Sequence, residues 1–238
     1  MASPKIVLYT NRLCPWAHRA HIALKELGLD FEEVTIDLDT PREPWYLEIN
    51  PRGLVPTLSY NGTIIPESAI VTQLLADAHP SHLLPASNSP EGAIQRARIS
   101  FFVDTFGSKV LPHFFSTIRS ASAEERQTNT KALVAAIEKE IEPLLYPAGA
   151  GAGPFFRGSE KLTLAEALTG SFVLRLLSLS KPEYGLIPAE VSALLEKRTP
   201  GFSRWSKAVV QHDSVNYIYD EDKVGKRTVQ RYGGGAKH

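Results

Sequence analysis

The sequence predicts a small α/β domain of about 80 residues followed by an all-α domain. Three observations carry this. Short apolar or alternating runs of strand type fall only within residues 6–65 and end in a hairpin signal. A break then holds Pro80, Pro85 and Pro90 around a Ser/Asn cluster. Beyond it, the apolar patterns have helical spacing.

The elements follow in order. Ile6 to Tyr9 is a short apolar strand. Ala17, Ala20, Ile22, Ala23, Leu24 and Leu27 then repeat as on a helix that Gly28 caps. Phe31 to Ile36 alternates in part, as a second strand. Val55 to Tyr60, Asn61-Gly62 and Thr63 to Ile65 read as a hairpin, because Asn-Gly suits the positive φ angles of a type I′ turn. A helix is expected from about Glu67 to Ala78. The order is β-α-β, an irregular segment, then β-β-α, a right-handed crossover joined to an antiparallel hairpin.

His79 to Pro90 reads as a linker. Helices are expected at Ile94 to Val110, from Ser122 with Glu125 completing a capping box, from Thr163, and from Pro200 to His212. Tyr146 to Pro154, rich in Gly, Ala and Pro, reads as a loop. The expected division is residues 1–84, a linker at 85–91, a helical domain at 92–219 and a charged, frayed tail at 220–238 that contains Gly233-Gly234-Gly235.

Composition narrows the function. The chain has 238 residues, 43% hydrophobic and 22% charged, as a globular protein has. Its 26 Lys and Arg balance 26 Asp and Glu, so no global positive field marks a nucleic-acid binder. No apolar run approaches the ~20 residues that span a bilayer, and the opening stretch lacks the apolar core of a signal peptide. A soluble, cytoplasmic chain without a membrane partner is expected. One cysteine, Cys14, rules out an intramolecular disulfide and a four-cysteine metal site, and no metal is expected.

Cys14 lies between the first strand and first helix, with Pro15 where proline is tolerated as first helical residue. A thiol there faces free backbone N–H groups, which favour its thiolate; this is a nucleophile's location. The competing reading is a small, inert hydrophobe. His18, one turn on, and Arg19 are candidates to add positive charge. Surface solvation is the simpler reading for both His18 and His21, and the favoured one for His21. Tyr9 either presents its phenol to the same spot or packs. In Asn50 to Leu58, a cis Val55–Pro56 bond would free the Val55 backbone for a peptide-like ligand, while an ordinary trans turn stays open. Pro66-Glu67-Ser68-Ala69 opens a helix, where a hydroxyl and free N–H groups suit a carboxylate and Glu67 suits an ammonium; alone, Ser68 is only a cap.

Together, Leu13-Cys14-Pro15-Trp16-Ala17-His18-Arg19, the Asn50 to Leu58 block, Glu67-Ser68 and the α/β-then-helical order resemble the cytosolic glutathione transferases of the omega-like, cysteine-type class. The resemblance covers nearly the whole chain to about Asp220. It implies a thioredoxin-like N-terminal domain that binds glutathione, packed on an all-α C-terminal domain that forms much of a second-substrate pocket. It implies Cys14 at the glutathione sulfur, Val55 as backbone partner of the cysteinyl group, a cis Pro56, and Glu67 and Ser68 at the γ-glutamyl end. Arg42 falls where the class has a lysine near the glycyl carboxylate, and Trp16 takes the usual Phe position and walls the site. His18 departs from the usual Glu or Gln. Gly158 and Leu162 to Glu166 resemble the family's capping box and staple, with Glu166 in place of Asp, so Thr163 and Glu166 are folding residues. Phe101, Phe102, His113, Phe114, Phe115, Arg175 and Trp205 are the candidates for the hydrophobic pocket. The activity implied is monothiol transfer or reduction acting on mixed disulfides, glutathionyl adducts or dehydroascorbate, in a homodimer. The alternatives are conjugation of glutathione to a hydrophobic electrophile, with Tyr9, Thr10 or Cys14 as hydrogen-bond donor, and a non-catalytic binding module.

Overall fold

The computed structural model describes residues 3–233. Its first part holds β1 (Ile6–Thr10), α1 (Pro15–Glu26), β2 (Glu32–Thr35), α2 (Pro44–Ile49), β3 (Thr57–Tyr60), β4 (Thr63–Pro66) and α3 (Ser68–Ala78). The sheet order is β2-β1-β3-β4, with β1 and β2 parallel and the other pairs antiparallel. Leu8 pairs with Leu58, and Leu58 with Ile65, so one face of the sheet is apolar along a single row. Asn61 (φ 51°) and Gly62 (φ 85°) both take the left-handed region, as the hairpin turn requires.

Helix α1 is buried from Ala17 to Leu24 because it packs against α3, α8 (Leu164–Ser178) and α11 (Asp213–Asn216). Helix α2 lies in the segment read as irregular. Its six residues are too few to show periodicity, although Pro44 at its start is a helix signal. Tyr46 on α2 is fully buried and donates to the Leu54 carbonyl at 2.5 Å, which anchors the loop before β3.

Beyond the break the chain is helical. Helix α4 (Pro90–Thr105) starts before the expected Ile94, because Ser89 accepts the Gly92 N–H at 3.1 Å and Pro90 supplies the first turn. It runs through a widened π turn, Phe106–Val110, into α5 (Leu111–Arg119). Pro112 has no N–H to give and its ring would crowd a carbonyl one turn back, which the wider turn relieves. The same device, Ile137–Ile141 ahead of Pro143, joins α6 (Ala123–Ala136) to α7 (Glu142–Leu145). Ser122 caps α6 by accepting from Glu125 N, but the Glu125 carboxylate takes the Ala121 N–H, one residue earlier than a capping box does.

Helix α8 is buried almost throughout, and Thr163 and Glu166 form a complete capping box. Buried Glu166 also accepts from Phe156 N at 2.7 Å and the Trp205 indole at 2.6 Å. Its burial pushes the carboxyl up, opposed by these donors. Helices α9 (Val191–Arg198), α10 (Pro200–Gln211), α11 and α12 (Glu221–Tyr232) complete the bundle. The frayed tail needs correction: α12 is capped by Asp220, which accepts from Lys223 N at 3.1 Å, and it buries Val224 and Gly225. Gly234 and Gly235 lie outside the described residues.

Candidate functional site

Cys14 is the N-cap residue of α1, with extended backbone (φ −80°, ψ 122°). Its N–H donates to Asn11 O and its carbonyl accepts from His18 N, while the side chain makes no capping bond. The Asn11 side chain holds the approach, accepting from Leu13 N and donating to Ile36 O, both at 3.0 Å. The half-buried thiol stands where two clefts meet.

The first cleft, about 530 Å³, brings together Cys14, Trp16, Arg42, Val55, Pro56, Glu67 and Ser68, all the residues singled out for glutathione. The Val55–Pro56 bond is cis. Arg42 spends three bonds on backbone carbonyls, two on its own loop, Asp37 and Thr40 at 2.7 Å, and one beyond α2, Gly53 at 2.9 Å. Glu67, at φ 72°, is ion-paired with Arg52 on the exposed rim. Ser68, the first residue of α3, is buried and its Oγ accepts from Arg19 Nη1 at 3.2 Å. The Arg19 guanidinium lies 4.4 Å from the Trp16 ring centroid and 5.1 Å from that of Phe172. Burial draws it down to about 10, with the Cys14 charge acting the other way, so it stays cationic at neutral pH.

The second cleft, about 430 Å³, opens on the other side of Cys14. Of the expected pocket residues, Phe114, Phe115 and Arg175 line it. Phe101 is exposed in a separate surface groove, Phe102 and Trp205 belong to the core, and His113 lines neither cleft beside Cys14. Sequence reasoning missed the wall that α12 supplies: Arg227, Thr228, Arg231 and Tyr232. The signal was present, in an Asp220 cap, acidic residues in the first turn, Arg231 in the last and Val224, Thr228 and Tyr232 at four-residue spacing.

Two readings of α1 are corrected. His21 is fully buried, not solvated, and its Nε2 lies 2.9 Å from Thr10 Oγ1; burial first, then the Arg12 charge, pulls it down to about 4 against the opposing Glu33. His18 is likewise fully buried. Burial and the neighbouring Arg175 hold it well below the usual histidine range, so it is neutral and adds no positive charge to the thiol. That charge comes from Arg19 and from Arg175, whose guanidiniums both feel the Cys14 charge. Tyr9 packs between Trp45 and Tyr46 and lines neither cleft.

A four-stranded sheet with a cysteine at the start of its first helix, beside a cis-proline loop and backed by a helical bundle, is the architecture of glutathione transferases. Residues 13–78 match the family model of the glutathione S-transferase N-terminal domain. Glutathione S-transferase omega-1 of Rattus norvegicus is 31% identical over 212 residues, covering 89% of this chain and 78% of the relative. Its Mus musculus counterpart is 29% identical over 229 residues, 96% and 84% of the two chains. The crystal structure of glutathione transferase Omega 1C from Trametes versicolor superposes with a TM-score of 0.77 at 26% identity, covering 98% and 99%. The chain belongs to the glutathione transferases. Within that family it is an omega-class enzyme.

Proposed function

We propose that this enzyme is a glutathione-dependent thiol transferase that works through Cys14 alone. The observation that carries the reading is the Cys14 thiol, which makes no capping hydrogen bond among the described residues, lines both clefts and is the sole thiol of the chain. The Cys14 thiolate attacks the glutathionyl sulfur of a mixed disulfide. The S–S bond breaks, the other thiolate leaves and takes a proton, and Cys14 is left bonded to the glutathionyl sulfur. Free glutathione then attacks that bond as its thiolate, releases oxidised glutathione and restores the Cys14 thiolate. Reduction of dehydroascorbate and removal of glutathione from adducts use the same nucleophile.

In this reading Val55, beside cis Pro56, meets the cysteinyl backbone and Trp16 walls the site. Glu67 and Ser68 take the γ-glutamyl end, and Arg42 places charge near the glycyl carboxylate. Conjugation with Tyr9 or Thr10 as thiolate partner is disfavoured, since Tyr9 faces Trp45 and Tyr46 and Thr10 is bonded beneath α1 to His21. The reading includes a cytoplasmic homodimer, for which exposed Ile70, Ile94 and Phe101 supply apolar surface.

Intact-mass measurement tests it. Oxidised glutathione should add one glutathionyl group, reversed by excess reduced glutathione and absent in Cys14→Ser, which should also lose mixed-disulfide reductase activity. Full activity in Cys14→Ser would remove Cys14 as the redox centre.

A further inference from the structure

The second cleft joins an apolar wall to an unusual concentration of positive charge. Phe114, Phe115, Ile118 and Leu179 form the wall, and Arg119, Arg175, Arg227 and Arg231 reach the same space, with no Asp or Glu among the lining residues. The whole chain is neutral, so this is a local arrangement, not a consequence of composition. One of the four is answered: Arg227 pairs with Asp39 at 2.6 Å.

The other three are not. Arg175 is buried at 3% exposure, and its three protein acceptors are His18 Nδ1, the Ser171 carbonyl and the Leu13 carbonyl, all uncharged. A guanidinium has five N–H donors, so two remain for a ligand. Arg119 lies over the rings of Phe115 and Tyr232, at 5.1 and 5.6 Å, and Arg231 over Tyr232 at 5.6 Å. Such face contacts leave the N–H edges of both side chains open, and neither makes an ion pair among the described residues. Cys14 supplies at most one negative charge against three cations.

We infer that the second cleft takes an aromatic acceptor bearing a carboxylate or sulfonate, its ring against Phe114 and Phe115 and its anion among Arg119, Arg175 and Arg231. Arg175 is withdrawn from water without a carboxylate partner, which is costly, and an oxyanion answers it with charge-assisted bonds; Arg119 and Arg231, exposed at the rim, add positive charge beside it. A neutral aromatic fills the wall and leaves the guanidiniums unanswered. The inference rests on the proposed reading only in taking this cleft as the seat of the second substrate.

Calorimetry on the glutathione-saturated protein tests it, with 4-biphenylcarboxylate and 4-biphenylmethanol as probes. The carboxylate should bind at least tenfold more tightly than the alcohol. That ratio should fall several-fold in Arg119→Gln and in Arg231→Gln, and further in the double variant, where Arg175 alone remains to hold the anion. It should also fall in wild type at about 1 M salt, where the screening length is about 3 Å. A wild-type ratio near one, or a ratio the double variant leaves intact, overturns the inference. Repeating the titration on Cys14→Ser separates it from the thiol-transferase reading: binding preference belongs to the arginines, turnover to Cys14.

Discussion

Arg175 on α8 donates through Nη1 to Nδ1 of His18 on α1 at 3.2 Å, joining residues 157 positions apart in the seam between sheet and bundle. An arginine only donates, so His18 must present a lone pair at Nδ1 and carry its proton on Nε2. The same guanidinium holds the Leu13 carbonyl, one residue before Cys14, at 3.2 Å. The bundle thus fixes both the backbone entering Cys14 and the charge state of the residue one turn after it.

Arg175→Met should therefore cost stability and reactivity together. It strands the His18 and Leu13 acceptors, at about 1–3 kcal/mol for each buried group left unpaired. Urea unfolding near neutral pH should show that loss, and alkylation of Cys14 by iodoacetamide at the same pH should slow several-fold with one cation gone. Unchanged alkylation would mean that Arg175 supports the fold without acting on the thiol.

Acid should unfold the protein through the two α1 histidines. His21 titrates near 4 in the folded chain and His18 well below its usual range, against about 6.5 in the unfolded chain. Between about pH 6.5 and 4 the unfolded chain binds protons that the folded chain refuses, so this stability is complete above 6.5 and lost as pH falls. At about 1.4 kcal/mol per pH unit, His21 alone contributes about 3 kcal/mol across the window. Chemical denaturation from pH 7 to 4 should show the slope, and His21→Gln should flatten it. A flat wild-type profile would place both rings in contact with water.

These histidines also show where the sequence was legible. Cys14 before Pro15, the Asn61-Gly62 turn and Thr163 with Glu166 declare themselves, because capping and turn chemistry act over a few residues. The cleft around Cys14, Val55 and Ser68 was legible only by likeness to a family, since no local rule brings those positions together. The burial of His21 and the Arg175 to His18 bond were not legible, because the first depends on α1 packing against Thr10 and Phe31 and the second on α8 packing over α1. Helix α12 was passed over for its charge: Val224 and Gly225 are its only fully buried residues, too few to register as an apolar face.

Ser68→Ala should weaken glutathione more than it slows chemistry. Ser68 lines the first cleft and in the proposed reading meets the γ-glutamyl end of glutathione, where a lost bond to a charged ligand group costs roughly 1.5–3 kcal/mol, about tenfold to a hundredfold in affinity. Because Ser68 Oγ also accepts from Arg19, the variant should be paired with Glu67→Gln. The Glu67 partner Arg52 is largely exposed, so that pair adds little to stability. Steady-state kinetics should show KM for glutathione raised in both with kcat less affected. Unaltered glutathione binding in both would reverse the assigned orientation of the ligand.

The seat of α12 should depend on Gly225, where a Cβ would stand 2.2 Å from the Tyr184 ring. Replacing glycine by alanine inside a helix ordinarily stabilises by about 1 kcal/mol. Here the added methyl overlaps an aromatic ring, and forced repacking typically costs about 1–3 kcal/mol, enough to reverse the sign. Relief comes from lifting α12, which carries Arg231 and Tyr232 of the second cleft and the Arg227 pair with Asp39. Gly225→Ala should accordingly speed tryptic cleavage at Lys223, Lys226 and Arg227 and weaken aryl carboxylate binding more than glutathione binding, because of the α12 residues only Arg231 also lines the first cleft. Adding Tyr184→Ala makes room for the methyl and should restore both. If Gly225→Ala instead raises stability and leaves cleavage unchanged, Tyr184 swings aside and the helix is held by its ion pairs, Lys181 with Glu221 and Arg227 with Asp39.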